Sequence, residues 1–282
     1  MTPSETIRQA EKSDISEVAG FLAHADLIHR HLDWQGVLDW IPKEPFLLQY
    51  QENHLQALLV CPPDLEKIAW IRCFACDKHF HLMQSWKELF DEACHDPALV
   101  DNFVYSVGLN DWFAELLQKT GFENFQNIVV LEWNRQFPIS HRITYNYFIR
   151  PMEPIDLDQV ADLDRIAFEP IWVNPPDKIG MAYAQAEHSS VVELDGKIIA
   201  YEMTTANHFS AHLARIAVHP EFQKQHIGSD LILEMFEYFK RKGIDQISVN
   251  TQNDNSSSLS LYRRMGFELT GESFPVYRFH IS

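Results

Sequence analysis

The sequence predicts an α/β or α+β protein made of two copies of one unit, and three observations carry that expectation. Leu213 to Ser229 reads as a buried strand, a sharp turn and a helix start. Ile244 to Val249 reads as a second strand, followed by a short helix that closes at Gly266-Phe267. The opening of the chain is repeated near its middle. At 282 residues there is enough chain for two hydrophobic cores, and plentiful aromatics without low-complexity tracts mark a well-folded protein.

Leu213 to Val218 is apolar apart from Arg215, the pattern of a strand covered on both faces. Pro220 ends it. From Gly228 onward Leu231, Ile232, Met235, Phe236 and Phe239 recur at helical spacing, and Lys240 to Gly243 close the last turn. Between strand and helix lies Gln223 to Ser229. Main-chain N–H groups at a helix start have no intrahelical partner and carry the positive end of the helix dipole, so this turn can bind a pyrophosphate. Lys224 and His226 add charge at its mouth. Ordinary helices also begin with such a turn, which makes the next segment important. There Asn255 is a good N-cap and Gly266 a good stop, bracketing a short helix that carries Ser258 and Tyr262.

Residues Ile7 to Val18 align with Ile149 to Val160, 142 positions later, with five identities, and Gly121-Phe122-Glu123 aligns with Gly266-Phe267-Glu268. Two copies of one fold are implied. The joint is expected near Asn134 to Tyr145, where Pro138, Ser140 and His141 interrupt the periodicity, giving domains at 1–138 and 146–282. In the first copy the counterpart of the phosphate turn, Cys76 to Ser85, has no glycine and carries His79, Phe80, His81 and Leu82. The position four before its Gly-Phe pair holds Leu117 where the second copy has Tyr262.

The order of these pieces resembles motifs A and B of the GNAT superfamily of N-acetyltransferases. Gln223 and Gly228 match the family loop, and His226 stands where its first glycine belongs. Helical φ is negative, so a non-glycine residue is expected to fit there and still offer its N–H. The resemblance implies two tandem GNAT-like domains, the first degenerate. Each would be a mixed twisted sheet flanked by helices, with acetyl-CoA wedged where two parallel strands splay. It further implies that Ile216, Ala217 and Val218 pair with the pantetheine arm. The pyrophosphate would lie on Gln223, Lys224, Gln225, His226, Ile227, Gly228 and Ser229. Asn255 and Ser258 would also bind the coenzyme, with Tyr262 protonating the leaving thiolate. A phenol stays protonated at neutral pH and can donate.

An attacking amine must be neutral, so a base is expected. Glu202, on the strand Ile198 to Thr205, is the first candidate; His208 and His212 are the others. Where some family members carry a glutamate, this chain has Asn250, which is not a base. Trp172, Asn174, Pro175, Pro176 and Tyr183 fall in a region that borders the acceptor in the family.

With 23 basic and 40 acidic residues the formal charge is −17, which repels phosphate backbones and argues against nucleic acid as a partner. Such acidity draws a cationic amine, and it is also a common route to solubility. No segment reads as a signal peptide or membrane span, so a soluble, cytoplasmic protein is expected. Cys73 and Cys76 in a strand would point to opposite faces, so no metal is expected. The function expected is acetyl transfer from acetyl-CoA to an unidentified primary amine, by a monomer with an internal pseudo-dimer or a weak homodimer. A non-catalytic acyl-CoA sensor and an interaction protein are the alternatives.

Overall fold

In the computed structural model, which describes residues 5–41, 43–78, 81–135 and 147–282, the repeat has a physical basis. Arg8 grips Asp14 through two bonds of 2.6 and 2.9 Å, and Arg150 grips Asp156 through two of 2.7 and 2.9 Å. Each aspartate also accepts the main-chain N–H three residues before it, Glu11 or Glu153, at 2.8 Å. The identities of the repeat thus pin each first strand to the helix after it, by a charge-assisted fork that Lys cannot reproduce.

The chain divides into two compact units, one of residues 1–127 with 274–282, the other of residues 128–273. The first contains β1 (Glu5–Gln9), α1 (Ile15–His24), β2 (Leu27–Arg30), β3 (Phe46–Gln51), β4 (His54–Val60), β5 (Pro63–Leu65), β6 (Ile68–Trp70), β7 (Cys73–Cys76), α2 (Leu82–Cys94), β8 (Phe103–Val107) and α3 (Asp111–Lys119). β9 (Glu123–Trp133) begins in it. The second contains β10 (Phe148–Pro151), α4 (Leu157–Ala167), α5 (Pro176–Gln185), β11 (His188–Leu194), β12 (Lys197–Ala206), β13 (Ser210–Val218), α6 (Ile227–Arg241), β14 (Gln246–Gln252), α7 (Ser256–Arg264) and the start of β15 (Phe267–His280).

This division differs from a cut along the sequence, because the two halves exchange strands. Ile128 to Glu132 of β9 pair antiparallel with β14 in the second unit. Val276 to His280 of β15 pair antiparallel with β8 in the first. The expected joint falls mostly on residues 136–146, outside the described residues.

In the second unit β10, β11, β12 and β13 form an antiparallel meander, and β13 then runs parallel to β14. α6 and α7 cover one face, where Ile232, Met235, Phe236, Phe239 and Tyr262 pack on Leu213, Val249 and Phe267. Neighbouring strand residues point to opposite faces, and Tyr201 and Arg215 turn away from α6 to meet Asp164 of α4. The first unit has its own core around Phe74, Trp86, Phe90 and Phe113, all buried. There Cys73 packs into one layer and Cys76 into the other. Among the described residues no helix is long and apolar enough to cross a membrane.

Candidate active site

The two parallel strands separate. β13 pairs with β14 from Ser210↔Gln246 to Leu213↔Val249 and no further, although β13 continues to Val218 and β14 to Gln252. On its other side β13 stays paired with β12 up to Val218↔Ala200. The register to β12 slips between Met203↔Arg215 and Thr204↔Leu213, leaving Ala214 as a bulge at the point where the strands part. The stretch 214–218 therefore presents a strand edge without a strand partner, bordered by Ile216, Ala217 and Val218.

At the end of that edge is the turn. Gln223 ties it down by donating from Nε2 to the Val218 carbonyl at 3.1 Å. Lys224 has φ +61°, His226 has φ +66°, and Gln225 between them lies outside the left-handed region. Such alternation turns successive N–H groups inward to make an anion cradle. Among the described residues, the N–H groups of Lys224, His226, Ile227 and Gly228 donate to no protein acceptor, and the first bonds of α6 start at Ser229 and Asp230. The expectation of negative φ at His226 is corrected here: it sits in the left-handed region that favours glycine. A non-glycine residue thus adopts the conformation there, and the turn carries an imidazole. Gly228 lets α7 pack closely, because a Cβ there would stand 3.1 Å from Leu261 Cδ2 and push that side chain aside.

Asn255 caps α7, its side-chain oxygen accepting the Ser258 N–H at 3.1 Å. Tyr262 is buried at 4% exposure and stacks edge-on against Phe267. Burial pushes its phenol above the ordinary value, while Ser258 and the charge of Arg215 pull the other way. The phenol is therefore protonated over the whole neutral range.

The opposite face of β13 carries a network that the sequence did not reveal. Arg215 makes a two-pronged pair with buried Asp164, at 2.7 and 2.8 Å, and lies 3.7 Å above the Phe168 ring. Asp164 also accepts from the Tyr201 hydroxyl and from the Asn174 N–H at 2.8 Å. The only signal in the sequence was a single arginine in an apolar run; nothing there paired it with Asp164.

Glu202 is placed where a base cannot work. It points to the α6 side and is fully buried, accepting from His188 at 2.6 Å, Ser190 at 3.2 Å and Thr204 at 2.7 Å. Its oxygens are occupied and closed to solvent, so the base assignment is corrected. His208 lies in the turn between β12 and β13. His212 lies on the face opposite α6, two residues before the bulge, and its Nδ1 meets Ser248 Oγ at 2.9 Å. Burial lowers its pKa, so it is neutral at neutral pH.

His188, Glu202 and Glu234 form the one group among the described residues whose ligand atoms lie close enough to hold a cation. Both imidazole nitrogens already face carboxylates, Nδ1 toward Glu202 and Nε2 toward Glu234, which fits an imidazolium held between two anions. Burial alone would lower the His188 pKa, but the two carboxylates outweigh it and raise it to about 9. A raised folded pKa means stability fully present below the unfolded value near 6.5 and lost as pH rises through about 9. Thermal unfolding between pH 6.5 and 10 is expected to show a decline in Tm that is blunted in His188→Gln. Equal declines in both proteins would contradict the ion pair.

Residues 157–267, from the start of α4 to the first residue of β15, match the profile of the acetyltransferase (GNAT) family. The carboxy-terminal half is a GNAT acetyltransferase domain. A Bacillus subtilis (strain 168) protein described as a ribosomal protein bS18-alanine N-acetyltransferase is 24% identical over 123 residues, covering 44% of this chain and 82% of that protein. The ribosomal protein bS18-alanine N-acetyltransferase of Escherichia coli (strain K12) is 27% identical over 73 residues, which is 26% of this chain and about half, 49%, of that enzyme. Over nearly its full length the chain shares its fold with a tandem GNAT protein from the clavulanic acid biosynthesis pathway, at a TM-score of 0.66 and 13% identity, covering 99% of each chain. The fold is thus two tandem GNAT-like domains, with the GNAT profile matching the second.

Proposed function

We propose that the GNAT domain transfers the acetyl group of acetyl-CoA to a primary amine by direct attack, with Tyr262 as general acid. The carrying observation is the parting of β13 from β14 beside a turn whose N–H groups are free. A pantetheine arm is an extended chain with two amides, which an unpaired strand edge can bind. The residues fit the coenzyme: Ile216 to Val218 offer the edge, Gln223 to Ser229 the cradle for the pyrophosphate, and Asn255 retains an amide hydrogen for the arm. Ser258 lies one turn before Tyr262 on the same face of α7 and pulls the phenol's pKa down against burial, which supports a role beside the acid.

In the reaction the amine lone pair attacks the thioester carbon, the C–S bond breaks, and the thiolate takes the Tyr262 proton. The amine's surplus proton passes to a base on the acceptor face. We assign His212 to that part, because it is neutral at neutral pH, lies on the face opposite Tyr262, and stands next to the bulge. His212→Gln is expected to lower kcat/KM about 10- to 100-fold and to remove the acidic limb of its pH profile. An unchanged profile would remove His212 from the mechanism.

Two relatives are named for acetylating the alanine of a ribosomal protein, and an acidic chain of net charge −17 favours a cationic terminus. A peptide beginning with alanine is therefore the first acceptor to assay, beside small primary amines. Acetyl-CoA at a hundred times its Kd is expected to stabilise the protein by about 2.7 kcal/mol, a shift visible in thermal unfolding. Free-thiol release with an amine then reports turnover. Binding without turnover on any amine would make the domain an acyl-CoA sensor, and no shift at millimolar coenzyme would end the acetyl-CoA reading.

A further inference from the structure

We propose that strand β2 fills, in the amino-terminal unit, the slot that coenzyme takes in the carboxy-terminal one, so that the chain binds a single acyl-CoA. The counterpart of β13 in the first unit is the stretch 68–76, which returns from β4 and β5 as β13 returns from β12. Its first part, β6, runs parallel to β8 from Ile68↔Phe103 to Trp70↔Tyr105, and the Ile71 N–H still reaches the Tyr105 carbonyl at 2.9 Å. There the pairing stops, as β13 leaves β14 after Leu213. The two copies share the parting of the strands.

They differ in how the parted edge is covered. In the first unit β7 has β4 along one edge, Ala57↔Cys76 to Val60↔Cys73. Its other edge, on the β8 side, is taken by β2, antiparallel from Leu27↔Cys76 to Arg30↔Cys73. The His31 N–H extends the ladder to the Arg72 carbonyl at 2.9 Å. β2 also reaches the far wall. His29, with no exposed surface, meets Ser106 Oγ of β8 at 3.3 Å and stacks on Phe113 of α3 with ring centres 4.0 Å apart. Just beyond, Asp33 pairs with buried Arg72 at 2.9 Å. Burial holds the His29 pKa down at about 3, so the insert carries no charge into the core at physiological pH.

The main chain of β2 thus supplies the hydrogen bonds that an extended diamide would supply, and its side chains close the space a thioester would need. The rest of the site is missing in step. Leu117 replaces Tyr262 and is wholly buried in the core. In the second unit the corresponding stretch after the first helix runs instead to α5, and it forms no strand along β13.

This inference rests on the coenzyme reading of the second unit only for what the slot would hold. Hydrogen exchange on the full chain, followed by mass spectrometry with and without coenzyme A, tests both separately. Without ligand, amides of 27–30 and 73–76 are expected to exchange at least about a hundredfold slower than free peptide. Coenzyme A should leave them unchanged and slow the amides of 214–218 and 224–228. Exchange of 27–30 at free-peptide rates, or slowing there by coenzyme A, would overturn the filled slot. No effect at 214–228 would count against the coenzyme site and leave the slot judged by its unliganded rates. Equilibrium dialysis with acetyl-CoA should find one equivalent on the wild type. A second equivalent would also overturn it.

Discussion

Tyr262→Phe is expected to lower kcat by about 10²- to 10⁴-fold while leaving the dissociation constant of acetyl-CoA within about twofold. The substitution keeps the ring in its place against Phe267 and removes only the proton that the leaving thiolate would take. The neighbourhood is apolar, so the vacated space costs little: Tyr262 belongs to the cluster of Phe236, Met265 and Phe267. A general acid with so high a pKa is charged in no part of the usual pH range, so loss of the acid should not move the acidic limb assigned to His212. Single-turnover kinetics with a calorimetric Kd would separate chemistry from binding. A variant that binds and turns over normally would remove Tyr262 from the mechanism, and one that binds poorly would make it a packing residue.

Asp164→Ala is expected to destabilise the GNAT domain by about 3–5 kcal/mol, which for a unit of this size is a fall in Tm of roughly 10 °C. Asp164 is fully buried and collects the Arg215 guanidinium, the Tyr201 hydroxyl and a main-chain N–H. Its removal leaves a guanidinium at 12% side-chain exposure without its counter-charge. Replacing both ends, as Asp164→Leu with Arg215→Met, should be markedly less harmful than the single change, since an apolar pair of similar volume carries no stranded charge. Urea unfolding of the three variants measures this. A single-variant loss below about 1 kcal/mol would show that the network is ornamental to stability.

The second half was legible because its signals are local. Gln223, Gly228, Asn255 and Tyr262 lie within forty residues of one another in the chain, and turn, cap and helix spacing are short-range properties. The repeat was legible because Arg8 and Arg150 need an aspartate six residues on to complete the same fork. What escaped depends on partners far away in sequence. Nothing near β9 or β15 says that each completes the sheet of the other half, since an apolar alternating strand suits either. Glu202 was misplaced for a related reason: on a strand, one step of parity decides between the α6 side and the acceptor side, and the bulge at Ala214 shifts that parity along β13. His226 gave no hint of its left-handed backbone, because the loop's shape is set by the elements it joins.

The exchanged strand also orders events during synthesis. The amino-terminal unit leaves the ribosome first, yet the edge of its β8 strand is covered only by Val276 to His280. At about 5–20 residues per second, the intervening stretch takes roughly ten to thirty seconds to emerge. The half that is made first is finished last, and in the interval it carries an uncovered strand edge of the kind that chaperones guard. A stop codon after Ser273 would spare nearly every residue of the acetyltransferase half and leave its neighbour unfinished.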